Sequence, residues 1–188
     1  MGRLEEGWKE HELAQELDPS SDQLSWALDR RGEYDSAIEL VQKILETRPE
    51  DGNLRWLLSE DYLQKGMYEQ WLRELGRTLV LIGLPEVTGP LRHAFVTSGY
   101  EGALRHASRE VERLVTSKRL YFPGALAEIY VKLGDKDRAL YWLSEGVDHH
   151  HMAISDPILQ WFKVDPRFAP LHADPRFKEL LRRAGLPP

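Results

Sequence analysis

The sequence predicts an all-α protein made of stacked helix pairs, and three observations carry that prediction. First, Gly32, Gly66, Gly99 and Gly134 recur at intervals of 34, 33 and 35 residues, a period typical of repeated supersecondary units. Second, apolar residues follow helical spacing on both sides of the first of these glycines. Leu24, Ala27 and Leu28 precede it, and Ala37, Ile38, Val41, Ile44 and Leu45 follow it. Third, Pro49 closes the second run, because proline cannot continue a helix. Each unit therefore reads helix, glycine turn, helix, with the glycine taking the left-handed geometry that ends the first helix.

In chain order, helices are expected near 3–17, 22–31, 34–47, 53–65, 67–82, 86–98, 100–117, 121–133, 135–149, 155–162 and 174–184. Gly2, Leu4, Gly7, Ala14 and Pro19 fit the second helix of a pair whose first helix is missing. Met1 is therefore read as the start of a fragment. The face carrying Leu4, Trp8, Leu13 and Leu17 would lack its cover and is a candidate for weak homodimerisation. Gly2 and Gly32 are only 30 residues apart, so the helix around Leu24 should be about one turn shorter than its peers. Ala37, Ala103 and Ala139 follow their glycines closely and are expected at tight helix crossings, and Trp71, Trp142 and Trp161 in the core. Leu84, Pro85, Gly89 and Pro90 mark a loop running into a short helix.

After His151 the period breaks, which divides the chain into a repeat array over 1–151 and a capping segment over 152–188. There Val164-Asp165-Pro166-Arg167-Phe168 is echoed by Ala173-Asp174-Pro175-Arg176-Phe177. Asp-Pro is a helix start: the aspartate caps free amides, and proline at the first position has no amide to leave unpaired. Phe177, Leu180 and Leu181 form one apolar face, Arg182 and Arg183 suit the last turn, and Gly185 and Pro187 end it.

These units resemble the tetratricopeptide repeat (TPR). The family pattern is Gly, an aromatic two later, Ala five later and Pro seventeen later, as in Gly32, Tyr34, Ala37 and Pro49 of the repeat over 18–51. The repeat over 52–84 keeps Leu58, Tyr62, Gly66 and Tyr68 but has Trp71 at the small site. The repeat over 85–119 keeps Gly99 and Tyr100, with Ala103 one residue early. The repeat over 120–153 has Leu126, Ala127, Tyr130, Gly134, Ala139 and Gly146. The resemblance implies a right-handed α-solenoid that acts as a non-enzymatic protein–protein interaction module, with a peptide or helix in its concave groove. The family's groove positions fall on Trp26, Arg30, Asn53, Trp56, Glu60, Gln64, His93, Thr97, Tyr121, Glu128 and Lys132. Chaperone-binding members clamp a terminal carboxylate with basic and asparagine side chains. The matching positions here hold Asp22, Trp26, Trp56, Leu57 and Glu60, so that clamp is not expected. An aromatic, partly acidic groove favours a partner with apolar and basic groups. The closing Asp-Pro-Arg-Phe copies also resemble the ends of TPR regions in large bacterial regulators, either winged-helix transcriptional regulators or serine/threonine kinases. That resemblance implies a self-associating or ligand-sensing regulatory domain as the alternative function.

Composition narrows the field. The chain of 188 residues carries a formal net charge of −6. Residues 1–50 hold 13 acidic and 6 basic side chains, and residues 151–188 hold 4 and 6. Such acidity disfavours binding to a phosphate backbone. Leu79, Val80, Leu81 and Ile82 are the richest apolar run, far below the roughly 18 residues a membrane span needs. There is no cysteine, hence no thiol chemistry or disulfide framework. Glu60 and Asp61 are adjacent and diverge on a helix, so they do not pair as catalytic carboxylates. His149, His150 and His151 are adjacent rather than spaced to share one helix face, so they are not assigned as a metal site. No cofactor or catalytic residue is assigned.

Overall fold

The computed structural model describes residue 13, residue 18 and residues 22–117, 121–149 and 162–186. Every regular element among them is helical, and helices adjacent in sequence pack in order. The chain forms two compact units, Met1–Gly89 and Pro90–Pro188.

The first unit contains α1 (Gln23–Arg30), α2 (Tyr34–Thr47), α3 (Gly52–Gln64) and α4 (Tyr68–Leu81). α1 packs on α2, α2 on α3 and α3 on α4, and α1 also touches α3. At 8 residues α1 is shorter than α2 at 14 and α3 at 13, as the compressed first interval requires. Leu28, Val41, Ile44, Leu54, Leu57, Leu58 and Trp71 fill the core. Each fully buried aliphatic side chain of this kind contributes about 1.5–3 kcal/mol. Ala37 has no exposed surface, consistent with a side chain kept small for close approach. Asp51 starts α3 by accepting hydrogen bonds from the amides of Asn53 and Leu54.

The turns explain the glycine period. Gly66 has φ 70° and Gly134 φ 75°, a region that costs any residue with a Cβ roughly 1–2 kcal/mol. The amide after each glycine then donates back to the carbonyl four residues before the glycine. Met67 donates to Tyr62 at 2.8 Å, Asp135 to Tyr130 at 2.9 Å and, after Gly32, Glu33 to Leu28 at 3.0 Å. This bond satisfies a carbonyl that the helix end would leave open.

Gly99 behaves differently. The two helices expected over 86–98 and 100–117 are both present and meet at a kink, where Ser98 (φ −140°, ψ 15°) and Gly99 (φ 66°, ψ −169°) leave helical geometry; α5 (Pro85–Thr116) denotes the kinked pair. In the other turns a further non-helical residue follows the glycine, as Glu33 and Met67 do, whereas here Tyr100 resumes the helix at once. The loop expected around Leu84 reduces to a tight turn, because Pro85 sits at the helix start where its missing amide costs nothing.

Most of the second unit is α5, α6 (Pro123–Lys132), α7 (Lys136–Asp148), a 3-10 helix (Pro166–Leu171) and α8 (Pro175–Arg183). α6 packs on α7, the 3-10 helix on α6 and α8 on α7. Ala103 and Ala139 are fully buried, as are Leu126, Leu143, Phe168 and Leu171. Phe177 meets Phe162 edge-to-face at 5.7 Å. Asp165 and Asp174 cap their helices as expected, accepting from the amides of Arg167 and Arg176. Trp142 departs from expectation: it is only half-buried, against the exposed Tyr141 with ring centroids 5.1 Å apart. The expected helices over 3–17 and 155–162, with Leu4, Trp8, Leu17 and Trp161, lie outside the described residues apart from Leu13, which is exposed, and Phe162, which is buried in a turn. No helix among the described residues is long and apolar enough to cross a membrane.

Candidate functional site

In the first unit the candidate site is built on α1 and α3. Trp26 of α1 and Trp56 of α3 lie with ring centroids 5.8 Å apart and planes inclined by 32°. Both are half-buried, so each residue keeps part of its surface in solvent. Arg30, one turn beyond Trp26, places its guanidinium carbon 5.6 Å from that ring, within the range of a cation–π contact. Arg30 is itself buried, with Nη1 2.6 Å from Asp29 Oδ2. It therefore packs against the tryptophan as a buried residue, which corrects its expected place on an accessible face.

Along α3, Asn53, Trp56, Glu60 and Gln64 follow one another at helical spacing and share a face. Asn53 is exposed, and Trp56, Glu60 and Gln64 are half-buried. Ser59 is buried and donates its hydroxyl to the Trp56 carbonyl at 2.7 Å. Glu60 and Asp61 diverge as expected, since Asp61 is fully buried.

The second unit places its candidates less uniformly. His93 and Thr97 are exposed on α5, and the Thr97 hydroxyl donates to the His93 carbonyl at 2.9 Å. Tyr121 is half-buried, with its hydroxyl given to the Glu145 carbonyl at 3.2 Å. Glu128 is only 2% exposed. Its Oε2 lies 3.3 Å from Arg167 Nη1, and its Oε1 lies 3.5 Å from Lys132 Nζ. Arg167 in turn grips Asp165, with Nε 2.8 Å from Oδ1 and Nη2 2.5 Å from Oδ2. Two carboxylates thus face two cations, a balance that burial demands because an unpaired buried charge is costly. Glu128 and Lys132 were expected to face a partner. The 3-10 helix covers that face of α6 instead, and Arg167 occupies the glutamate.

Sequence reasoning missed two further clusters. Tyr130 donates to Glu112 Oε1 at 2.6 Å and accepts from Arg138 Nη1 at 3.0 Å. Burial and the Glu112 bond push the Tyr130 phenol above its ordinary range, and the bond to Tyr130 raises Arg138. Glu74 is buried, with Arg55 at 2.8 Å, Arg77 at 2.9 Å and Arg73 at 3.2 Å. The signal for the first was the tyrosine four residues before Gly66 and again before Gly134. Tyr62, the earlier copy, is likewise bonded through its hydroxyl, by Gln42 at 2.7 Å.

His149 places Nδ1 3.1 Å from the Glu145 carbonyl oxygen of its own helix. His150 and His151 lie outside the described residues. Among the described residues no group of three or more histidine, aspartate and glutamate side chains has a metal-holding arrangement.

No family model matches the chain, and the comparisons with curated proteins and with solved structures give no match.

Proposed function

We propose that this chain is a TPR-type helical-repeat protein whose work is non-enzymatic: it binds a peptide or helix of a protein partner on the face that carries Trp26 and Trp56. The supporting observation is the indole pair itself. Two adjacent tryptophans that each keep surface in solvent are a ready anchor, because large aromatic side chains dominate binding energy at protein interfaces. The acidic residue one turn on, Glu60, adds a preference for basic groups in the partner. The resemblance of the C-terminal segment to the tails of bacterial regulators favours a partner within a signalling protein.

The test is selection of a displayed random-peptide library on the purified chain, repeated on Trp56→Ala. Peptides enriched on the native protein and lost on the variant are expected. Enrichment of nothing, or of peptides indifferent to Trp56, sinks the proposal. Circular dichroism of the variant should remain native, since Trp56 is only half-buried.

A further inference from the structure

One helix of the first unit carries more positive charge than its surroundings neutralise, and the surplus lies beside bare apolar surface. The exposed residues of α4 recur as Glu69, Arg73, Arg77 and then Val80 with Leu81. That is helical spacing, so they form one stripe. Next to the stripe Glu74 is only 3% exposed. Three guanidinium groups meet this one carboxylate. Arg55 Nη1 lies 2.8 Å from Oε2, and Arg77 Nη1 and Arg73 Nε lie 2.9 Å and 3.2 Å from Oε1.

The three arginines are not equivalent. The Arg55 side chain, from α3, is 15% exposed, and its Nε donates to the Pro49 carbonyl at 2.7 Å. It is the buried counter-ion of Glu74. The Arg73 and Arg77 side chains are 55% and 54% exposed, and among the described residues each pairs with Glu74 alone. Glu69, one turn before Arg73, makes no ion pair with it. Two positive charges are thus left without a counter-ion of their own. Arg73 uses only Nε on Glu74, and Arg77 only Nη1, so each guanidinium is held at one edge while N–H donors on the rest of the group remain unused. A group already held in place loses less freedom when it binds.

One turn beyond Arg77 stand Val80, Leu81 and Ile82, which are 56%, 39% and 49% exposed. The start of α3 lies beside them but presents Gly52. A Cβ there would come 3.8 Å from Leu81 Cβ and 3.9 Å from Ile82 Cγ2, and glycine adds no side chain to cover them.

The geometry points to a second docking surface, on a different helix from the indole pair: the stripe from Arg73 to Ile82 receives an acidic amphipathic helix of a partner protein. Its carboxylates sit on Arg73 and Arg77, and its apolar side chains on Val80, Leu81 and Ile82. Guanidinium groups match carboxylates in geometry as well as in charge. Two surplus cations fall short of the about 4–8 basic residues that mark a surface for anionic lipid. A formal net charge of −6 also works against approach to a membrane or a nucleic acid. A free anion would leave the apolar residues uncovered. An acidic helix with apolar side chains uses both halves of the stripe.

The probe is a labelled, alanine-rich helical peptide with two glutamates one turn apart and leucines on the next turn of the same face. The full chain is titrated into it and its anisotropy followed. The probe should bind saturably, more weakly as salt is added, and its glutamine counterpart about tenfold more weakly. Arg73→Gln with Arg77→Gln should cost a similar factor and abolish the preference for glutamate. Arg55 stays on Glu74 in that variant, so circular dichroism should remain native. Val80→Ser with Ile82→Ser, at exposed positions that touch none of the ion pairs, should weaken the probe as well. Trp56→Ala should leave its affinity unchanged. Equal binding of the two peptides, no saturation by about 1 mM, or affinity indifferent to the arginine and apolar variants would overturn the inference. So would binding of the chain to phosphatidylserine vesicles, dependent on Arg73 and Arg77, with no binding of the peptide. Loss through Trp56→Ala but not through the arginine variant would place the probe on the indole face, sinking this inference alone and leaving the proposed interaction function standing.

Discussion

Helices α3 and α6 end alike but differ in what covers them. Each opens a helix pair, places a glutamate six residues before its turn glycine and a tyrosine four before it, and closes with the same backbone bond. Yet Glu60 remains half in solvent beside two tryptophans, and Glu128 is sealed by Arg167. The local spelling decides the helix, its end and its tyrosine. What the glutamate faces is decided by a segment from beyond the repeat period. The same position can therefore be sealed in one helix pair and keep surface in solvent in another.

The sharpest way to break this comparison is to remove the occupant. Arg167→Gln leaves Glu128 and Asp165 buried without their guanidinium, and loss of one partner in a buried pair typically costs about 3–5 kcal/mol. Chemical denaturation should show a loss of that order, whereas Glu60→Gln, at a half-exposed position, should change stability by no more than about 0.5 kcal/mol. Equal costs for the two variants would erase the distinction between the surroundings of Glu128 and Glu60.

The next effect tests whether both units use the same tight crossing. Ala139→Leu and Ala37→Leu should each overpack a fully buried site and cost about 1–3 kcal/mol. An unchanged denaturation midpoint for either would show that its helix pair has room to spare. A smaller effect tests the shared turn. Gly66→Ala and Gly134→Ala force a Cβ into positive φ and should each cost roughly 1–2 kcal/mol. Their near-equality is the expected result, because the two turns share one hydrogen-bond pattern.

The smallest effect concerns the second Asp-Pro-Arg-Phe copy, whose Arg176 is exposed where Arg167 of the first is buried. The Arg176 side chain, helped by its backbone amide, holds the Asp174 carboxyl down at about 2. A carboxylate with a lowered folded value adds stability that is present above its unfolded value of about 3.9 and is lost as the pH falls towards 2. Asp174→Asn keeps a capping side chain but removes the charge. Its small stability deficit at pH 6 should therefore close as the pH drops through that window. A deficit independent of pH would assign Asp174 a capping role alone.

Much of this fold could be read from residues whose physics is local. Gly32, Gly66 and Gly134 announce their turns because each sits at a positive φ that favours glycine. Ala37 and Ala139 announce buried crossings, and Asp174 with Pro175 announces a capped helix. Gly99 likewise marks the break between two helices, at φ 66°, although Tyr100 resumes the helix at once and leaves a kink in place of a longer turn. The first Asp-Pro-Arg-Phe copy gives a 3-10 helix rather than an α-helix because Pro170 soon removes another amide donor. Of the candidate site, Trp26, Trp56 and Glu60 were legible from helical spacing within one unit. The closure of Glu128 was not, because ion pairing between distant segments leaves no periodic trace. The burial of Glu74 among three arginines escaped for the same reason.

The claim that matters most is that the open face of α1 and α3 is where a partner sits. Indole N–H signals of the native chain, followed by NMR while a library-selected peptide is added, report on it residue by residue. The account predicts that the Trp26 and Trp56 signals move together and saturably, while Trp71, buried in the core, and Trp142, in the second unit, stay in place. Saturable shifts at Trp142 with Trp26 and Trp56 unmoved would contradict it.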